Sequence, residues 1–255
     1  MKRTCTQWLL FSAATLALVA SCRSAPAQTL LNGGFESNGG AGTPFLTDWI
    51  TADQFGSANS FYAQAGTGTP IFGQTVPAPP EGSFAAMTDT GGAGSHVLYQ
   101  DFVVPVGVGG QADLSFQVFV NNQAGDFFAP ATLDYTAAIN QQARVDLLTA
   151  ASDPFSVAGG DVLLNLYQTK PADLLTSGYT LVNADVSSLF LAHAGETLRL
   201  RFAEVDNQNA LNFGVDAVRL RVSAAPEPGS LALCSGVIVV LPCLLRRRRA
   251  RRALL

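Results

Sequence analysis

The chain has 255 residues, 48% hydrophobic and 13% charged, with a formal net charge of −4. Charged residues are scarce against the roughly 25% usual in soluble domains, and a net negative chain offers phosphates little attraction, so nucleic acid is excluded as an expected partner. Only two histidines, His96 and His193, are present, which excludes a histidine-rich metal site, and the 24 Gly and 13 Pro favour many turns.

In chain order, the first element is a leader. Lys2 and Arg3 precede an apolar run over 8–20, which predicts a secretory signal helix too short to span a bilayer. Cleavage after Ala27 fits the small residues at Ala25 and Ala27, giving a signal peptide over 1–27. The competing site is Val19-Ala20-Ser21-Cys22, which resembles a lipoprotein box with Cys22 as the lipidated residue. Cys5 and Cys22 lie in this leader and Cys234 and Cys243 near the C-terminus. The segment 28–224 therefore has no cysteine, which excludes thiolate zinc sites and cysteine nucleophiles there and leaves its stability to the core.

That middle segment reads as one domain of short β-rich runs separated by Gly, Pro, Asn and Asp clusters, the pattern of an antiparallel sandwich or barrel. HVLYQDFVV alternates and stops at Pro105, and ADLSFQVFV places Leu114, Phe116, Val118 and Val120 on one face. TLDYTAAI and ARVDLLTA are expected to form a pair of strands, and DVLLNLYQT another strand. DVSSLFLAHAG carries the one helical hint, with Asp185 or Ser187 to cap a turn and Gly195 to end it. TLRLRFAEV turns Leu198, Leu200 and Phe202 inward, and GVDAVRLRV does the same with Val218, Leu220 and Val222. Arg199, Arg201, Arg219 and Arg221 then fall on the opposite faces, expected to be solvated among a surplus of carboxylates.

No arrangement of these residues marks catalysis. No nucleophile elbow accompanies His96 or His193, each of which reads as a packed or surface histidine. No spacing separates an acid pair from the other carboxylates, and no phosphate loop, dinucleotide fingerprint or EF-hand loop is present. Tyr62, Tyr135, Tyr167 and Tyr179 are scattered and define no sugar platform. The residues that stand out are at the ends of the domain. In NGGFE, Phe35 is expected to point into the core beside Glu36. In GVDAV, Asp216 sits in an apolar setting where a carboxylate needs a partner.

With Trp49 in TDWI, these two motifs resemble the jelly-roll domains of galactose-binding-like folds and carbohydrate-binding modules. The resemblance implies an antiparallel jelly-roll β-sandwich over 28–224 with Trp49 in the core. It also implies a structural calcium ion for which Glu36 and Asp216 are the candidate ligands. The alternative reading is that both carboxylates accept backbone hydrogen bonds or pair with arginines.

The last element, over 225–255, is a tail in three parts. Pro226, Glu227 and Pro228 are followed by an uncharged apolar stretch over 229–245 and then by arginines over 246–252, beginning with Arg246, Arg247, Arg248 and Arg249. The apolar stretch predicts a short transmembrane helix with the arginines on the cytoplasmic side and the domain outside. The order of these parts resembles the PEP-CTERM sorting signal of Gram-negative bacteria. That resemblance implies processing near Pro226 by an exosortase in the inner membrane, then release or attachment at the cell surface alongside exopolysaccharide.

The sequence thus predicts an exported, non-enzymatic surface or matrix protein that interacts with polysaccharide. A secreted hydrolase on a sandwich scaffold and an uncut tail-anchored envelope protein are the alternatives.

Overall fold

A computed structural model describes residues 30–224 apart from Thr90 and Gly107. The predicted signal helix, the transmembrane segment, Pro226, Glu227, Pro228 and the arginines Arg246 to Arg249 lie outside the described residues. Among the described residues, no helix is long and apolar enough to cross a membrane.

Among the described residues, ten strands form two five-stranded sheets, and the described pairings are antiparallel. In chain order they are β1 (Ile50–Asp53), β2 (Phe61–Ala65), β3 (Phe84–Thr88), β4 (Gly94–Val103), β5 (Val108–Asn122), β6 (Gln141–Thr149), β7 (Val162–Gln168), β8 (Thr180–Asp185), β9 (Thr197–Asp206) and β10 (Leu211–Ala224). Sheet one has the order β1-β4-β9-β6-β7 and sheet two the order β2-β3-β10-β5-β8. From β7 onward each strand changes sheet, so the late strands sew the two layers together in a jelly-roll-like sandwich.

The core follows from strand parity. Leu114, Phe116, Val118 and Val120 of β5 face Leu198, Leu200 and Phe202 of β9 across the layer. Phe35 and Trp49 enter this core as the sequence predicts, and Trp49 is only 7% exposed. The rings form a chain, with centroids 5.2 Å apart for Phe35 and Trp49, 5.7 Å for Trp49 and Phe202, and 5.5 Å for Phe202 and Phe116. Each such buried phenylalanine stabilises the fold by about 1.5–3 kcal/mol.

β10 changes parity midway. Leu211, Phe213 and Val215 face inward, and then Ala217 adopts φ 52° and Val218, Leu220 and Val222 take over the inward face. This local left-handed residue re-aims the strand as a bulge does. Beyond it, the Val218 amide donates to the Gly33 carbonyl at 2.8 Å. A Cβ at Gly33 would meet the Val218 carbonyl oxygen at 2.0 Å, so only glycine permits this closure of the two ends of the domain.

The helical hint is realised as α1 (Ser187–Ala192), with Gly195 in a left-handed conformation shortly after it. The Ser187 amide donates to Asp185 Oδ1, and Phe190 packs on Phe102 at 5.8 Å.

Two expectations are corrected. TLDYTAAI is not a strand: residues 132–139 form a loop, while ARVDLLTA supplies β6. Asp134 Oδ1 accepts the Thr136 amide, the Thr136 hydroxyl and the Gln54 side-chain amide, so this backbone is committed to a local turn. The apolar residues of the segment, Leu133 and Tyr135, lie instead over Val97, Ala203 and Val205 on the outer face of sheet one. The second correction concerns Arg199 and Arg201, which are 7% and 0% exposed and therefore not solvated. The loop after β6 covers them. Arg199 donates to the carbonyls of Ala150 and Ser152, and Arg201 to those of Pro154 and Ser156. Arg219, at 49% exposure, and Arg221 do lie outside.

Candidate functional site

The two ends of the domain meet at a carboxylate corner. The turn that presents Glu36 is set by Asn32, whose side-chain amide donates to the carbonyls of Ser37 and Thr47 and whose Oδ1 accepts the Ser37 amide. The Trp49 indole N–H donates to the Asn32 carbonyl at 3.0 Å, which ties this turn to the core. Glu36 Oε1 then accepts the amides of Ser83 and Phe84 at 2.8 and 2.9 Å. Asp216 is fully buried and accepts the Glu81 amide on Oδ2 and the Ala217 amide on Oδ1. Glu81 itself pairs with Arg219 at 2.6 Å.

Both sequence-predicted calcium ligands therefore use backbone donors, and among the described residues neither pairs with an arginine. Burial pushes Asp216 up to about 7 against the pull of its two amide donors, and the negative charges of Glu81 and Glu36 add to the rise. Glu36, Glu81 and Asp216 offer oxygen donors only, the donor type a hard cation takes. Within the described residues, these side chains do not form a group of three whose ligating atoms converge within 4.8 Å.

A second feature lies at the edge of the sandwich where β7 and β8 meet. A cleft of about 270 Å³ opens there onto the core. Its floor is Val118 and Val120 of β5 with Phe127, and its wall is Tyr167 with Thr169. Asp173, Ser177 and Thr180 bring polar groups, and exposed Leu174 stands at the mouth. The connection that carries Asp173 is held in place by its own bonds. The Lys170 amide donates to Asp173 Oδ2 at 2.8 Å, and the Ala172 amide donates to Asp126 Oδ1 at 2.8 Å. The Tyr167 ring stacks on Phe213 with an interplanar angle of 6°, which fixes its plane. Desolvation, with the charge of Asp173, pushes the Tyr167 hydroxyl up to about 12. A flat aromatic wall with hydroxyls and one carboxylate around it can hold a small amphipathic ring by its apolar face and its polar edge.

Two of the other tyrosines named from the sequence have structural surroundings. Tyr179 packs on Phe119 with its hydroxyl buried, and the Tyr135 hydroxyl donates to the Phe55 carbonyl. Sequence reasoning missed the cleft because its residues come from β5, β7, β8 and two connections, with no shared motif. His193 lies beside Glu196 at 2.8 Å, and His96 is fully buried beside Asp53.

No protein-family profile matches this chain, and no curated protein does either. Solved structures are similar to it. A cleaved adhesin domain of Lys-gingipain from Porphyromonas gingivalis is 14% identical with a TM-score of 0.44, covering 75% of this chain and 96% of that one. A Stig cyclase from Fischerella sp. TAU, in complex with a pyrrolidinylidene-indole, is 18% identical with a TM-score of 0.44, covering 80% and 100%. TmCBM61 in complex with β-1,4-galactotriose is 10% identical with a TM-score of 0.41, covering 76% and 97%.

Proposed function

We propose that this protein is an exported β-sandwich module, carried to the cell surface by its C-terminal signal, that binds polysaccharide and does not catalyse a reaction. The address rests on the sequence of the tail: Pro226-Glu227-Pro228, an apolar stretch and a run of arginines, in the order of a PEP-CTERM signal. The partner for that step is an exosortase, and exopolysaccharide is the surrounding material. The observation that carries the binding role is the edge cleft, where Tyr167 is held flat by Phe213 and faces polar groups from Asp173, Ser177 and Thr180. A volume of about 270 Å³ admits one sugar ring and leaves the rest of a chain outside. A calcium ion at Glu36 and Asp216 belongs to the same proposal as a brace between the ends of the domain.

The domain carries 18 acidic residues against six basic ones, so neutral glycans suit it better than anionic ones. Immobilised neutral polysaccharide should retain the purified full-length protein. Replacing the ring by Tyr167→Ala should weaken retention about tenfold or more, since an aromatic contact supplies roughly 1 kcal/mol beyond its area. Retention that ignores Tyr167→Ala overturns the cleft as the site. Hydrolysis of a glycan or ester panel that is lost on changing one carboxylate or histidine replaces the binding role with a hydrolase.

A further inference from the structure

Sheet one carries a second polar group on its core-facing side, at the end where β1, β4 and β9 meet. The parity that turns Leu198, Leu200 and Phe202 into the core also brings Glu204 and Asp206 onto that face. On β4 the same holds for Leu98, Phe102 and His96. The register sets His96 directly opposite Glu204, Asp53 opposite His96, and Gly94 opposite Asp206. His96 and Glu204 are fully buried and Asp206 nearly so. One ligating atom from each of these three residues lies within 4.8 Å of the other two.

The hydrogen bonds leave this group incomplete. His96 Nδ1 lies 2.7 Å from Asp53 Oδ1. With the Asp53 carboxylate as acceptor Nδ1 donates, and in the neutral imidazole Nε2 then carries the lone pair. Nε2 is buried and meets no donor, and both oxygens of Glu204 are buried without a donor as well. A shared proton between His96 and Glu204 would join them by a hydrogen bond, and none links them. A cation satisfies both groups at once.

There is room for one. A Cβ at Gly94 would come within 2.4 Å of His96 Nε2, so glycine at this position keeps the space before the ring nitrogen clear. A cleft of about 330 Å³, lined by Gly91, Gly92, Ala93 and Asp206 among others, borders the group on the Asp206 side.

We propose that His96 Nε2, Glu204 and Asp206 bind one zinc ion, with Asp53 orienting the imidazole. One imidazole and two carboxylates form a nitrogen–oxygen set that suits zinc, whereas calcium and magnesium take oxygen shells. The carboxylate–histidine–metal relay through Asp53 is the arrangement that fixes a ligating histidine. The site pins β4 to β9 at one end of sheet one. It shares no residue with the edge cleft or with Glu36 and Asp216.

The test uses the full-length protein, stripped with chelator and dialysed against zinc. One zinc per chain is expected. Binding should weaken at least 100-fold in Glu204→Gln and His96→Asn, and about 10–100-fold in Asp53→Asn. Cys5, Cys22, Cys234 and Cys243 also attract zinc, so X-ray absorption on the zinc-loaded wild type decides even where a variant fails to fold. A nitrogen–oxygen shell with one imidazole supports the site. A sulfur shell, a shell without imidazole, or no stoichiometric zinc overturns it.

Discussion

Asp216 ionises near 7 in the folded chain, against 3.8 for an ordinary aspartate. Between those values the folded state keeps a proton that the unfolded state has lost. Its contribution to stability is therefore complete below about pH 4, falls as pH rises toward 7, and levels off above it. Asp216→Asn removes the charge and keeps one of the two acceptor oxygens that the Glu81 and Ala217 amides use. The stability of wild type relative to this variant should drop by as much as about 4 kcal/mol across that window, as denaturant unfolding at each pH would report. Calcium at Glu36 and Asp216 favours the ionised form, so added calcium should recover the loss at pH 7 and chelation restore it. Parallel pH profiles for the two proteins contradict the buried-charge account. A melting temperature indifferent to excess chelator contradicts the calcium. The sequence exposed Asp216 as a carboxylate in an apolar setting. It could not show that the partners are amides, because backbone donors leave no trace in residue identity.

At the scale of elements, the outer face of sheet one shows what a covering loop does to charge. Asp146, fully buried, accepts from Arg144 at 2.7 and 2.8 Å and from Arg201. Burial alone would raise its pKa, but the two guanidinium groups and the Asn165 amide hold it below the usual range. Arg199 makes a bidentate pair with Asp101 at 2.7 and 2.9 Å and lies 4.1 Å over the Tyr99 ring. Removing one partner of a buried pair strands the other charge. Asp146→Ala should cost about 3–5 kcal/mol in denaturant unfolding, whereas Arg219→Ala, which breaks only the exposed pair with Glu81, should cost about 0–1 kcal/mol. Equal costs would mean that water reaches Asp146. The alternation of TLRLRFAEV placed Arg199 and Arg201 on the correct face. Solvation of that face was beyond it, because the loop that buries them lies about 45 residues earlier in the chain, at Pro154 and Ser156. The same limit explains TLDYTAAI, whose apolar spacing is that of a strand but serves a loop packed on a sheet.

For the whole molecule, charge is divided along the chain: residues 246–252 hold six of the 15 basic residues, and 28–224 hold 18 of the 19 acidic ones. Of the domain's six basic residues, Arg144, Arg199, Arg201 and Arg219 are engaged with Asp146, Asp101 and Glu81, so the surface keeps a strong acidic excess. If the tail is a processing signal, protein recovered from the cell surface should end near Pro226 and lack Arg246 to Arg249. Mass spectrometry that finds the intact C-terminus on surface material reduces the tail to a membrane anchor.

The sequence by itself determined the β class, the inward faces of the long strands, the core positions of Phe35 and Trp49, and the composition of the tail. These are local properties: alternation with period two and a run of one residue type are both legible within a few positions. Only the tertiary structure decided which polar groups meet. Asp53, His96 and Glu204 are joined by antiparallel register across β1, β4 and β9, and Tyr167 meets Val118 and Asp173 only because edge strands of different sheets close together. Neighbours made by sheet order are separated by tens of residues in the chain, so no local pattern encodes them.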